Sequence, residues 1–375
     1  MKKILFIMNN LAGGGAEKLL IELLETLDKD KFKLTLILLD NEGIYLKRLK
    51  RIKKLQKYYV FEELNKESSF FKRKLKKVFK FIICLFPNLF FKKIKKKDEY
   101  DIGVAYLEGP TTLFLSNLKN CKKKIAWVHI DLERHKTMNR TLEKKAYSKM
   151  NKIICVSNDS KKSVENLYPE LKEKTEVIYN PIPKEEILKS CLKEINIYST
   201  EKLNIIAVGR LNKQKGYDLL LKTHNELLKE GLDYNLYILG EGEERKKLEQ
   251  YITDNNIEKN TFLLGFKENP YPYIKEADIF VSSSRYEGYS LVVAEALCLE
   301  KPIIATKCVG PMELLDNGKY GLLAEGESVE SLKENMKKLI LSEKLRKKYS
   351  DLARERANIF DVDKTMKQIE RVLNE

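Results

Sequence analysis

The chain has 375 residues, 43% hydrophobic and 34% charged, with 17 Gly and 9 Pro; this excludes a short peptide, a fibrous repeat and a disordered chain and leaves room for two or three domains. Its net charge of +16 is unevenly placed. Residues 1–180 hold 40 basic and 22 acidic side chains (+18) and residues 181–375 hold 31 and 33 (−2), so one half is suited to a polyanion, either nucleic acid or an anionic membrane, and the other to a different task.

The opening MKKILFIMNN is too short in its apolar part for a signal peptide and reads as a buried strand, Lys3 to Met8. A glycine turn (Gly13, Gly14, Gly15), a helix to about Leu27 and a strand from Lys33 to Leu39 follow, the alternation of a parallel sheet with crossover helices. The turn LAGGGAEK has three readings: a structural tight turn, a backbone that approaches a substrate at a helix start, or a dinucleotide fingerprint with Asp40 as the ribose-binding acid. Against the last, Lys18 stands where Gly or Ala is needed.

Residues 47–97 interrupt this grammar and are not expected to add sheet. Within them, residues 72–97 carry eleven Lys or Arg around Phe79, Phe81, Ile82, Ile83, Leu85, Phe86, Leu89, Phe90 and Phe91. Such a composition suits a segment lying on an anionic bilayer, with Phe81, Phe86, Phe90 and Phe91 inserting and Lys92, Lys93, Lys95, Lys96 and Lys97 among the headgroups. A nucleic-acid surface and a solvated lysine face over core phenylalanines are the rivals; large aliphatic residues outnumber stacking ones and no nucleic-acid motif accompanies them. No run reaches the roughly 18 apolar residues of a membrane span, so the protein is expected not to be integral.

Strands at IAWVHI, KIICVS and TEVIYN complete the first half, and the first of them delivers His129, then Asp131, at its carboxyl end. NPIP (Asn180 to Pro183) halts regular structure. The expected division is a first domain over 1–180, a linker over 181–202, a second domain over 203–361, and a last helix over 362–375 packing back on the first domain. The second half repeats the alternation from LNIIAVGR to KPIIAT and is helical after about Val329. Two doubly wound lobes place ligands at the carboxyl ends of their strands and between the lobes.

GRLNKQKG puts Arg210 and Lys215 in the loop leaving the second half's first strand, where a planar fork and a point charge can neutralise a diphosphate; a solvated basic loop is the plainer alternative. In SRYEGYSLVVAEA, Glu287 ends a loop after a buried strand and Glu295 lies eight residues on, close to the buried face of an apolar helix. A carboxylate there needs a partner, which vicinal sugar or ribose hydroxyls supply, and the amides of Tyr289, Ser290 and Leu291 face an anion. His224 reads as a surface residue. The six cysteines form no CxxC pair and read as buried thiols of a reducing cytosol.

Together GGGAE, GRLNKQKG, GEGEE, LGF, ADIFVSSSRYEGYSLVVAEAL and VGPMELLDNGKYGLL resemble the retaining glycosyltransferases of the GT-B fold, family 4, over essentially the whole chain. The resemblance implies an α/β protein of two Rossmann-like lobes facing a central cleft. It implies that Arg210 and Lys215 hold the donor diphosphate, Glu295 the ribose and Glu287 the transferred sugar, with Gly288 among the donor-binding residues. Gly14 and Gly15 would face the donor, the backbone near Phe266 would frame the nucleobase, and His129 would aim at the reacting sugar. Asp131 is a candidate acceptor contact. One departure is CVGPME, with a single Gly310 where the family commonly has two glycines.

No DxD motif stands at a strand end, so neither metal nor cofactor is expected, and Arg210, Lys215 and a helix start take over the leaving-group charge. The expected partners are a nucleotide-sugar donor, with uridine diphosphate as nucleotide, a lipid-linked or glycan acceptor and the inner face of the cell membrane, but no nucleic acid. A sugar-nucleotide 2-epimerase would need more histidine than His129, His135 and His224 offer. A non-catalytic binding protein would leave Arg210, Lys215, Glu287 and Glu295 without a task.

Overall fold

The computed structural model describes residues 1–61, 70–89, 99–192 and 195–375. Within them, seven runs of the first half lie side by side as parallel strands: β1 Lys2–Met8, β2 Phe32–Asp40, β3 Gln56–Phe61, β4 Tyr100–Ala105, β5 Cys121–Val128, β6 Lys152–Cys155 and β7 Thr175–Val177. Their order is β3-β2-β1-β4-β5-β6-β7. Helices cover both faces of a doubly wound sheet, which is why Ile4 to Met8 form a continuous apolar run with no polar alternation. Ile4 pairs with Leu34 on one side and with Ile102 on the other. The strand order reverses at β1 and β4, and the carboxyl ends of these two strands are where such a sheet accepts a ligand.

β3 corrects the expectation that residues 47–97 add no sheet. QKYYVF pairs in parallel with β2 from Thr35–Gln56 onward. As an edge strand it tolerates lysine and two half-exposed tyrosines, so it lacks the apolar run that marks β1 or β2. Helix α1 (Gly15–Thr26) follows β1 and buries Leu19, Leu20, Ile21, Leu23 and Leu24; α2 (Leu46–Arg51) precedes β3, and α3 (Phe70–Leu85) follows it.

The second sheet is also parallel, with β8 Leu203–Val208, β9 Tyr234–Leu239, β10 Thr261–Gly265, β11 Ile279–Ser282, β12 Ile303–Thr306 and β13 Leu322–Ala324 in the order β10-β9-β8-β11-β12-β13. Here the reversal falls between β8 and β11. The chain divides into one unit of Met1–Asn180 with Lys364–Glu375 and another of Pro181–Asp363. Residues 181–202, read above as a linker, contain a helix, Lys184–Ser190, which Pro183 starts and which buries Ile187 in the second unit. The last helix, Val362–Asn374, buries Ile369, Val372 and Leu373 and pairs Glu370 with Lys31 (3.2 Å) and Arg371 with Glu176.

His224 corrects another reading. It sits in the helix Tyr217–Lys229 with no exposed surface, its Nδ1 2.8 Å from Tyr234 Oη and its Nε2 3.1 Å from Thr261 Oγ1. Polar neighbours in KTHNEL hid a position on the same helical stripe as Leu220, Leu221 and Leu227. Burial pushes its imidazole down to about 3. All six cysteines are free thiols, and all but Cys191 are buried.

Candidate functional site

In the second unit the loops after β8 and β11 meet. Gly216 has φ +63°, and a Cβ there would lie 2.2 Å from the Ser283 carbonyl oxygen, so only glycine lets the first loop press against the second. Ser283 Oγ donates to Lys215 O at 2.8 Å, Arg285 N to Gln214 O at 2.7 Å, and Gln214 Nε2 to Tyr286 O at 3.0 Å. Arg285 also grips Asp218 through two nitrogens, each at 2.8 Å, and this hydrogen bonding holds the Asp218 carboxyl below its ordinary range.

That stitching brings Lys215 Nζ onto Glu287 Oε1, which also accepts from Ser284 Oγ at 2.9 Å. Both charged groups are largely removed from water. Arg210 stands in the same loop as Lys215, and among the described residues no carboxylate forms an ion pair with it. Beyond Glu287 and Gly288 come Tyr289 and Ser290, both buried, and then the helix Leu291–Cys298. Ser290 Oγ, at that helix start, is buried with no hydrogen-bond partner among the described residues. Glu295 is also buried and accepts from Tyr271 Oη at 3.2 Å. Phe266, just after β10, is 43% exposed.

Gly310 packs on this loop. Its amide donates to Glu287 O at 3.0 Å, and a Cβ would come within 2.8 Å of both Ser290 N and Tyr289 Cα. The single glycine is therefore the one that the close approach requires.

In the first unit, Gly14 caps α1 in an extended conformation and Gly15 is its first residue, after β1. Asp40 is not available as a ribose-binding acid. Lys76 and Lys80 from α3 both pair with it. His129 follows β5, and burial pushes its imidazole down to about 3, with a hydrogen bond to the Tyr106 backbone working against the shift. Its Nε2 is buried without a partner among the described residues. With the Tyr106 carbonyl accepting from Nδ1–H, Nε2 carries the lone pair and accepts from a hydroxyl.

Behind His129 lies Glu108, which the sequence reading missed. Its carboxylate accepts from the amide of His129, and burial pushes its carboxyl up to about 7 against the pull of the His129, Glu108 and Ile130 amides. The available signal was an acid three residues past the end of the buried strand β4, in VAYLEGP. Asp131 spends its Oδ1 on the amides of Glu133 (2.9 Å) and Arg134 (3.2 Å) and so caps a turn. Phe81 and Phe86 are exposed, whereas Phe90, Phe91, Lys92, Lys93, Lys95, Lys96 and Lys97 lie outside the described residues. Among the described residues, no helix is long and apolar enough to cross a membrane, and no three His, Cys, Asp or Glu side chains group as metal ligands.

Comparison with known proteins matches residues 13–186 to the model of Glycosyltransferase Family 4 and residues 192–356 to that of Glycosyl transferases group 1. The chain is 28% identical over 371 residues, 96% of each chain, to a Campylobacter jejuni enzyme, N-acetylgalactosamine-N,N'-diacetylbacillosaminyl-diphospho-undecaprenol 4-alpha-N-acetylgalactosaminyltransferase. Its fold is similar to that of Anabaena HepE in complex with UDP, with a TM-score of 0.76 and 20% identity over all of both chains. Staphylococcus aureus TarM in complex with UDP is similar over all of both chains at a TM-score of 0.74 and 16% identity.

Proposed function

The chain belongs to the glycosyltransferases of the GT-B fold, and from that premise we propose that it moves a sugar from a uridine diphosphate sugar to a lipid-linked acceptor, with retention at the anomeric carbon, in cell-surface polysaccharide or glycolipid synthesis. The observation that carries the reading is the meeting of Lys215 and Glu287 at the carboxyl ends of β8 and β11, with Arg210 in the same loop as Lys215 and a helix start at Leu291. Uridine diphosphate as the nucleotide draws on the UDP held by HepE and TarM, and a lipid diphosphate acceptor on the name of the Campylobacter relative.

In this reaction the acceptor hydroxyl oxygen attacks the anomeric carbon from the face that the diphosphate leaves. The bond from that carbon to the diphosphate oxygen breaks, and the hydroxyl proton passes to the departing diphosphate. Arg210 and Lys215 stabilise the charge that builds on the leaving group, and the amides at the start of Leu291–Cys298 add to them, so no divalent metal is required. Glu295, steadied by Tyr271, holds the ribose hydroxyls. Glu287 orients the sugar. His129 is neutral at physiological pH and holds a sugar hydroxyl through Nε2 rather than donating a proton.

The first unit, with its excess of positive charge, serves the acceptor at the membrane surface, where the protein sits peripherally on the cytoplasmic side. Incubation with a panel of nucleotide sugars, with and without EDTA, tests the reading: slow release of free nucleoside diphosphate from one donor is expected, at the same rate in both. A sugar-nucleotide epimerised at C2, or no turnover of any donor with a lipid acceptor present, would overturn it.

A further inference from the structure

Helix α3 turns charge inward among apolar contacts: Cys84 belongs to the first unit's core, and Ile83 and Leu85 pack against it. Its inward side carries two lysines: Lys76 Nζ lies 2.8 Å from Asp40 Oδ1, and Lys80 Nζ is bonded to both Asp40 Oδ2 and Asn9 Oδ1. Asp40 is 6% exposed at the carboxyl end of β2, and its amide donates to Asn9 O at 2.7 Å. Farther along the same side Cys84 is buried, and Asn117 Nδ2 donates to its carbonyl at 3.2 Å. The outward side carries Leu75, Val78, Phe79, Phe81 and Ile82, with Phe86 just past the helix end, all of them 44–57% exposed.

An amphipathic helix on a water-facing surface turns these two sets the other way. Removing two ammonium groups from water is costly unless a counter-charge meets them, and Asp40 supplies it with Asn9 as a neutral second acceptor. Without that carboxylate, rolling α3 about its axis would return the lysines to water and bury the apolar stripe. Asp40 therefore decides which side faces out.

We propose that Asp40 is the positioning residue that fixes the roll of α3 and so presents the stripe Leu75, Val78, Phe79, Ile82 and Phe86 to an anionic lipid bilayer. The proposal rests on the membrane reading above and adds how the docking face is made. Charge complementarity selects the bilayer as occupant. Lys74 and Lys77 are exposed on the same helix, and the sequence supplies Lys92, Lys93, Lys95, Lys96 and Lys97 shortly after it, so an apolar insert is accompanied by cations that suit anionic headgroups. Lys76 and Lys80, by contrast, are spent internally and contribute nothing to the headgroup attraction.

The full chain is tested in two ways. Lysine acetylation read by mass spectrometry should modify Lys76 and Lys80 at least about tenfold more slowly than Lys74 and Lys77, and D40N should bring the four rates together; equal rates in the wild type would overturn the latch. Flotation with phosphatidylcholine vesicles containing phosphatidylglycerol should then show several-fold less bound protein for both F79S/I82S/F86S and D40N, while D40E stays near wild type. Should D40N fail to give a cooperative thermal transition, D40N/K76M/K80M takes its place: with methionines inward nothing drives the roll, so it should float as the wild type does. If the serine variant floats as the wild type does, the membrane reading is wrong. Release of the serine variant with D40N still bound, or release of the triple variant, would sink the role of Asp40 and leave the membrane reading standing. A wild-type dimer that the serine variant converts to monomer, with vesicle binding unchanged, would assign the stripe to a second copy of the chain.

Discussion

Lys215 Nζ is bonded to Glu287 Oε1 across 72 positions of sequence, so the cation expected to hold a diphosphate and the carboxylate expected to hold a sugar are already partners. The consequence is electrostatic. Each group lowers the cost of burying the other, and an arriving diphosphate has to share Lys215 with Glu287. Arg210, with no acid in an ion pair among the described residues, is the cation available at full charge.

Replacing both Arg210 and Lys215 by Ala should weaken binding of the free nucleoside diphosphate by roughly 1.5–3 kcal/mol for each charge-assisted hydrogen bond removed. Arg210→Ala alone should cost more than Lys215→Ala alone, because part of the Lys215 charge is already compensated by Glu287. Calorimetry with the free nucleotide measures both. Equal losses would show that the Lys215–Glu287 bond opens fully when nucleotide binds.

Glu287→Gln and Glu295→Gln should separate kcat from donor affinity. Glu287→Gln keeps the acceptor for Ser284 but frees Lys215, so turnover should fall while nucleotide affinity stays level or rises. Glu295→Gln should weaken the nucleotide about tenfold, which is roughly 1.4 kcal/mol. Tyr271→Phe should shift affinity in the same direction by less, since it removes a bond to Glu295 and no bond to the nucleotide. Wild-type rates and affinities in both Glu variants would remove the pair from the site.

Both sheets were legible in large part because buried parallel strands are written as apolar runs: ILFIM, FKLTLILL, LNIIAV and NLYIL need no tertiary context. Arg210, Lys215, Glu287 and Glu295 could be singled out because each charge stands at a strand end or on an apolar helix, where its burial is costly. What escaped depends on partners distant in sequence. The roll of α3 is fixed by Asp40, 36 to 40 residues upstream of Lys76 and Lys80, so the composition of the helix alone pointed its lysines outward. Edge strand β3 lacks an apolar run, and His224 is buried by Tyr234 and Thr261, neither of which its own helix announces.

Gly310→Ala should disable the donor loop without unfolding the second unit. The added methyl meets Ser290 N and Tyr289 Cα at 2.8 Å, backbone atoms that can yield only by shifting the helix start. Overpacking of this kind typically costs about 1–3 kcal/mol. Because Gly310 N also fixes Glu287 O, the shift should reach Glu287. Nucleotide affinity and turnover should both drop while the far-ultraviolet spectrum is retained; unchanged affinity would show that the loop has slack.

Acid should destabilise the second unit through His224. Its pKa falls from 6.5 to about 3 on folding because burial penalises the imidazolium, so the unfolded chain takes up a proton in that window and the folded chain does not. Stability from this group is fully present above about 6.5 and is lost as pH falls toward 3, at about 1.4 kcal/mol per pH unit. In the first unit His129 acts with the same sign, whereas Glu108, raised to about 7, acts with the opposite one: its share is present below 4.5 and is lost as pH rises toward 7. Between 4.5 and 6.5 these two largely cancel, leaving His224 as the uncompensated member of the three. Thermal melts from pH 7 to 4.5 should therefore show a fall in stability that His224→Gln, which retains hydrogen bonding toward Tyr234 and Thr261 without a titrating ring, reduces by about one proton's slope. An identical pH dependence in that variant would mean that His224 gains its proton without breaking its bonds in the folded protein.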